Sequence, residues 1–276
     1  MTPRRIAVRA RAHWRRWRQR RLPRGGELEV RRFGFRFRLD LSSYVDRQLA
    51  AGEPWEPHAV RLLEREVRPG MVAVDVGANF GYFTLHLSRL VGPEGRVIAF
   101  EPSRRFAERL AWHIEANGAA NVVMERVALS DRDGEAELLQ GEASATMHWT
   151  GAKAPGGRER VRTTTLDGWW RRWTSGGGED RLDVIKVDID GHEPRFLAGA
   201  AETLRRHRPL LLIEFSQDNL FAAGSTAWDL ADALEDLGYT LCDERTGRPF
   251  PSRRALLLEA GNFTHSANVL ARPARP

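Results

Sequence analysis

From about residue 59 onward, short β-branched runs alternate with longer apolar stripes at helical spacing. Val72, Val74 and Val76 form a run too short for a helix, the pattern of a strand buried on both faces of a parallel sheet. Phe80, Tyr82, Phe83, Leu85, Leu87 and Leu90 continue as a largely apolar helix. A second strand, GRVIAFEP, ends at Glu101, and Pro102-Ser103 open a helix with Phe106, Leu110 and Ile114 on one stripe, stopped by Asn117-Gly118. Val122 to Leu129 reads as the next strand, followed by a turn over Ser130–Gly134. Residues 135–182 are the least regular part. Two strand-like pieces (Glu135–Leu139 and Arg160–Thr165) flank a loop of small residues, and Trp169-Trp170, Trp173 and Gly176-Gly177-Gly178 follow. A long irregular insertion of this kind is usually functional or mobile. Val184 to Ile189 is another core strand, and Gly191 turns the chain into a helix from His192 and Glu193 with Phe196, Leu197, Ala200 and Leu204 facing the sheet. Pro209 to Phe215, a helix over Trp228–Leu237, and strands at Tyr239–Asp243 and His265–Leu270 complete the pattern. Strand and helix alternating over this length predict an α/β fold, a doubly wound, mostly parallel sheet with right-handed crossovers.

The first part of the chain reads differently. Leu28, Val30, Phe33, Phe35, Phe37, Leu39 and Leu41 alternate with polar residues around Gly34, a β-hairpin with one buried face. Ser42-Ser43 cap a short helix through Leu49, and Pro57 lies near the first turn of a helix carrying Val60, Leu63 and Val67. The expected organisation is a basic tail over 1–24, an N-terminal extension over 25–58, and an α/β domain over 59–272 with an insertion at 135–182.

Charge sharpens this division. Of a net +6, residues 1–24 contribute ten arginines and no acid, leaving the remainder at −4. Ile6, Ala10, Trp14 and Trp17 fall near helical spacing among those arginines, a pattern suited to weak contact with an anionic membrane surface or nucleic acid, or to a solvated disordered tail. The segment has no apolar core of a secretory signal. With one cysteine, Cys242, no intrachain disulfide or cysteine zinc site is available. No apolar run approaches a bilayer span, and the expected location is the cytoplasm. Only Lys153 and Lys186 are lysines in an arginine-rich chain, so a lysine inside a core strand suggests a role that guanidinium does not fill.

The chemistry concentrates where strands end. Gly77 and Gly81 bracket a turn between strand and helix N-terminus, where backbone amides and the helix dipole receive an anionic group. Glu101, twenty-four residues after Gly77, is placed to accept hydrogen bonds from ribose hydroxyls. A dinucleotide site needs G-x-G-x-x-G; here Asn79 stands where the middle glycine would approach a pyrophosphate, which disfavours a nicotinamide-dependent oxidoreductase. In a strand, Lys186 and Asp188 point the same way, and two such charges require each other or a ligand. Asp75, Glu101, Asp188 and Glu214 all fall near the carboxyl ends of apolar strands, the edge where ligands bind in such sheets. Glu193 has a plainer reading as a favourable first-turn charge.

VDVGANFGYFT, GRVIAFEPS, VALSDRDG, IKVDIDGHEPRFLAGA and RPLLLIEF, in that order, resemble the FkbM family of S-adenosylmethionine-dependent methyltransferases, well over 70–216 and poorly at both ends. Asp190 departs from the family's commoner glutamate. The resemblance implies a seven-stranded class I methyltransferase sheet, Rossmann-like, whose last strand runs antiparallel. It also implies S-adenosylmethionine as cofactor and O-methylation of a hydroxyl on a sugar, glycan or secondary metabolite. Expected cofactor contacts are Asp75, Gly77, Asn79, Gly81, Tyr82, Glu101, Ala128 and Asp188. Asp75 and the turn carbonyls would take the ammonium end of the cofactor and the helix N-terminus its carboxylate. Asp188 is the first candidate for the base that deprotonates the acceptor, with His192 and Glu214 as competitors; Lys186 would hold the carboxylate or a developing alkoxide, and Glu193 belongs to the same motif. A purely structural Lys186–Asp188 pair is the alternative. Asp188 and Glu214 lack a third ligand, so no metal is expected. The rival functions are methylation of RNA through the basic tail, a non-catalytic membrane- or RNA-binding module, and the oxidoreductase. Oligomeric state is not legible.

Overall fold

In the computed structural model, backbone contacts group the chain into two units dividing between Pro57 and His58. The structure describes residues 22–141, 144–147, 157–260 and 266–274; most of the arginine-rich segment, Lys153 and His265 lie outside them. In the first unit, β1 (Glu27–Arg32) and β2 (Phe35–Asp40) pair antiparallel. Phe33 and Gly34 carry φ of 53° and 88°, as a two-residue hairpin turn matched to strand twist requires. Phe35, Phe37 and Leu39 are buried, so the alternation holds. Helix α1 (Tyr44–Ala50) begins at Ser43, whose hydroxyl accepts the Asp46 amide.

From the boundary onward run α2 (Pro57–Glu66), whose first residue still falls in the first unit, β3 (Val72–Val76), α3 (Tyr82–Val91), β4 (Arg96–Phe100), α4 (Arg104–Ala116) and β5 (Val122–Glu125). A small sheet then forms from β6 (Ala128–Leu129), β7 (Gly134–Gln140), β8 (Ala145–Thr146) and β9 (Arg158–Thr164), in the order β6-β9-β7-β8. The chain continues through α5 (Leu166–Ser175), β10 (Val184–Val187), α6 (Glu193–Gly199), α7 (Ala201–His207), β11 (Leu210–Phe215), α8 (Gln217–Ala222), α9 (Ala227–Asp236), β12 (Tyr239–Asp243), α10 (Arg253–Ala260) and β13 (Ala267–Pro273).

Among the described residues the main sheet has seven strands, ordered β12-β13-β11-β10-β3-β4-β5. β11, β10, β3, β4 and β5 pair in parallel, while β13 is antiparallel to both β11 and β12. This is the expected mostly parallel class I methyltransferase sheet with an antiparallel last strand. Every residue of β3 is buried, as the Val72–Val76 run predicts for a central strand. The chain winds outward from β3 toward β5 and from β10 toward β11, so the switch point lies between β3 and β10. There Lys186 is in register with Asp75.

Three boundaries differ from the pattern. The single strand expected over Val122–Leu129 breaks at Arg126-Val127, because half-exposed β5 stays at the sheet edge while Val127–Leu129 turn into the core. The strand expected to reach Ile189 ends at Val187, although the Asp188 amide still donates to the Val76 carbonyl at 3.1 Å. The helix expected through Leu204 divides at Ala200, whose φ of −117° leaves the helical region. Beside the break, Gly199 lets the Ser130 carbonyl oxygen approach where a Cβ would overlap it. The irregular stretch contains an unforeseen helix, α5, in which Trp169 and Trp170 are buried.

Candidate active site

The site is built on the turn after β3. Gly77, Asn79 and Gly81 have φ of 79°, 52° and 96°, left-handed values that glycine and asparagine tolerate best. The amides of Gly77 and Ala78 both donate to the Phe100 carbonyl at 3.0 Å, tying the turn to β4. A Cβ on Gly77 would overlap the Asp188 carbonyl oxygen, and one on Gly81 would stand 2.5 Å from Leu110 Cδ1. The missing side chain of Gly77 therefore admits the neighbouring strand-end loop, a demand that the sequence pattern assigned to a ligand. Tyr82 opens α3 buried, its ring edge-on to Phe83 and His86 at 5.2 and 4.9 Å.

Glu101 is buried and bridges two loops: the Asn79 amide donates to Oε2 and the Ser103 amide to Oε1, both at 2.8 Å. Burial pushes its carboxyl up to about 7 despite those two donors. Asp75 is buried as well; Thr84 donates to its Oδ2 at 2.6 Å, while Oδ1 has no partner among the described residues. Burial raises its pKa, opposed by the nearby Lys186 ammonium. An orphaned carboxylate oxygen beside a helix N-terminus fits the zwitterionic amino-acid end of S-adenosylmethionine, and Glu101 at the end of β4 fits its ribose.

Lys186 is 2% exposed and donates to Asp188 Oδ2 at 2.8 Å, while Asp188 is 28% exposed. The Lys186 ammonium also lies 4.4 Å from the Phe83 ring centroid, a cation–π contact inside the core. Asp188 is thus a carboxylate paired with a buried cation and partly open to solvent.

Three further acids crowd it. Asp190, at φ 52°, accepts from Asn219 Nδ2 at 3.0 Å, and burial and Asp188 raise its pKa to about 6. Glu193 is 1% exposed and accepts the Ile189 amide at 3.0 Å; burial takes its pKa to about 8. Burial, then the charges of Asp188, Asp190 and Glu193, hold Glu214 well above the usual carboxylate range. At neutral pH Glu193 therefore keeps its proton.

His192 is buried with Nε2 2.9 Å from Ser130 Oγ, which joins the start of α6 to the end of β6. Ala128 is buried in the small sheet against Leu138 and Val161, so its side chain belongs to that sheet's own core. Among the described residues no group of three or more His, Cys, Asp or Glu side chains is arranged to hold a metal ion. No described helix is long and apolar enough to cross a membrane. Thr84, Ser103, Ser130 and Asn219 are site residues that the sequence did not suggest. Ser103 and Ser130 stood in the sequence only as a helix start and a turn.

A family model described as the methyltransferase FkbM domain matches residues 75–241, more than half of the chain. Protein-L-isoaspartate O-methyltransferase 1 of Arabidopsis thaliana is 34% identical over 125 residues, covering 41% of this chain and 53% of that protein. The chain thus spans about half the length of this relative. The 2-O-methyltransferase NoeI of Sinorhizobium fredii is 28% identical over 181 residues, 59% of this chain and 69% of its own. Hexuronic acid methyltransferase AglP of Haloferax volcanii is 26% identical over 150 residues, 54% and 58% of the two chains. The glycine turn, the strand-end acids and the Lys186–Asp188 pair all lie inside the matched region, and the chain belongs to the FkbM methyltransferase family.

Proposed function

We propose that this chain transfers a methyl group from S-adenosylmethionine to a hydroxyl of a sugar, glycan or secondary metabolite, in the cytoplasm. The observation that carries this reading is Asp188, a part-exposed carboxylate held by buried Lys186 beside the glycine turn. The printed names of NoeI and AglP, a 2-O-methyltransferase and a hexuronic acid methyltransferase, support a sugar acceptor. Bound S-adenosylmethionine supplies an electrophilic methyl carbon on a sulfonium.

The residues then do four things. Asp75 receives the ammonium on its orphaned oxygen, and the first turn of α3 receives the carboxylate. Glu101 accepts the ribose hydroxyls on lone pairs left by its two amide donors. Asp188 takes the proton of the acceptor hydroxyl as its oxygen attacks, because a neutral alcohol is a poor nucleophile. Lys186 fixes the Asp188 oxygen and offsets its charge. Positioning supplies much of the remaining rate, since methyl transfer needs an in-line approach.

Calorimetric titration tests the cofactor half. The unaltered chain should bind S-adenosylmethionine, and Glu101→Ala and Asp75→Asn should each weaken it by about tenfold, the scale of one or two hydrogen bonds to a charged group. Equal affinities in all three proteins would remove the basis of the reading.

A further inference from the structure

The β7–β8 hairpin reaches both banks of the cofactor cleft. Gln140, the last residue of β7, is buried, and its Nε2 donates to Ser103 Oγ at 3.2 Å and to Glu159 Oε2 at 2.9 Å. Ser103 in turn donates its amide to Glu101, and the Glu159 carboxylate accepts the Arg104 amide at 3.1 Å. The loop that carries Glu101 is therefore gripped from the small sheet. On the partner strand, the hydroxyl of buried Thr146 donates to the Asp190 carbonyl at 3.3 Å, and Ser144 bonds the Asp190 carboxylate.

These anchors are close neighbours within the hairpin, where Leu139 faces Thr146 and Gln140 faces Ala145. The loops they grip belong to β4 and β10, with β3 between them. Two strand spacings are about 10 Å, and the side chains of Gln140 and Thr146 reach the loops on either side of β3. By strand order the Gly77–Gly81 turn, at the end of β3, falls between those two loops. Gln140 also bonds Glu159 within the small sheet, but its contact with Ser103 and that of Thr146 with the Asp190 carbonyl reach strand-end loops of the large sheet.

We propose that Gln140 and Thr146 are positioning residues for the cofactor: the hairpin straddles the glycine turn and holds Glu101 and the Asp188–Gly191 turn in the register that receives the ligand. This rests on the methyltransferase reading. Gln140 acts through Ser103 on Glu101, and Thr146 acts through the Asp190 carbonyl on the turn that follows Asp188.

The test is calorimetric binding of S-adenosylhomocysteine to the full chain. Gln140→Leu and Thr146→Val should each weaken binding about three- to tenfold, the scale of one buried hydrogen bond. Thr146→Ser, which keeps the hydroxyl, should restore it. In a Glu101→Ala background, Gln140→Leu should cost little more, because its route to the ligand is already cut. Variants that titrate like the unaltered chain would overturn the inference, as would a Gln140→Leu penalty of equal size in both backgrounds. If Gln140→Leu does not fold, the Thr146→Val and Thr146→Ser pair carries the test alone. An unaltered chain that fails to bind S-adenosylhomocysteine sinks the methyltransferase reading and this inference with it; a binding chain with indifferent variants sinks the inference only.

Discussion

Asp188 and Lys186 show what a buried charge pair does for a reaction and for a fold at once. Asp188→Asn keeps size and hydrogen bonding but removes the negative charge, so turnover on an alcohol acceptor should fall by roughly 10²–10⁴, the usual range for a positioned base. Cofactor affinity measured by calorimetry should move far less. Lys186→Met leaves Asp75 and Asp188 without the cation between them, so its melting temperature should fall along with turnover. Glu193 carries a different expectation. Its pKa rises from 4.5 unfolded to about 8 folded, so the folded chain holds the proton more tightly. Stability from this group is full below about pH 4.5 and is lost as pH rises toward 8. Thermal melts of Glu193→Gln should therefore match the unaltered chain near pH 4.5 and exceed it above pH 7; parallel curves across that range would contradict the burial account. The strand-end acids were legible in sequence because each interrupts an apolar β-branched run. Their partners were not: Ser130 meets His192 across 62 residues and Asn219 meets Asp190 across 29, and no local periodicity records such pairs.

Elements were legible in proportion to how strictly one face was buried. β3, β4, β10 and β11 followed from their apolar runs, and the β1–β2 hairpin from alternation around Gly34. The break between β5 and β6 and the division of α6 from α7 were not visible, since both arise where the small sheet meets the large one. Gly77 belongs to this scale. Its sequence context placed it against a ligand, and its φ of 79° and the adjacent Asp188 carbonyl also make it the point where two strand-end loops close together. Gly77→Ala should then lower stability by about 1–3 kcal/mol through strain and overpacking, seen as an earlier denaturant midpoint. A variant as stable as the unaltered chain, losing only cofactor affinity, would return Gly77 to the purely ligand-facing role.

For the whole molecule, the winding of strands outward from β3 and β10 brings Asp75, Glu101, Asp188 and Glu214 to one edge although they lie far apart in the chain. That topology, and the antiparallel β13, were expected from the FkbM resemblance; the pieces that become β7 and β9 were legible, but not their union with β6 and β8 in a second sheet, because those two strands have only two residues each. Residues 1–24 stand apart by charge, with ten arginines. If they touch an anionic surface, co-sedimentation with vesicles or RNA should weaken as salt rises, since exposed charges are screened over about 8 Å at physiological ionic strength. Sedimentation unchanged on deleting the segment would assign it no such contact. The most direct measurement for the account as a whole is transfer of an isotopically labelled methyl group from S-adenosylmethionine to a panel of sugar, glycan and small hydroxyl acceptors, run beside Asp188→Asn. The account predicts label in a hydroxyl ether of at least one acceptor and its near loss in the variant; equal labelling by both proteins, or no labelling by a chain that binds the cofactor, would contradict it.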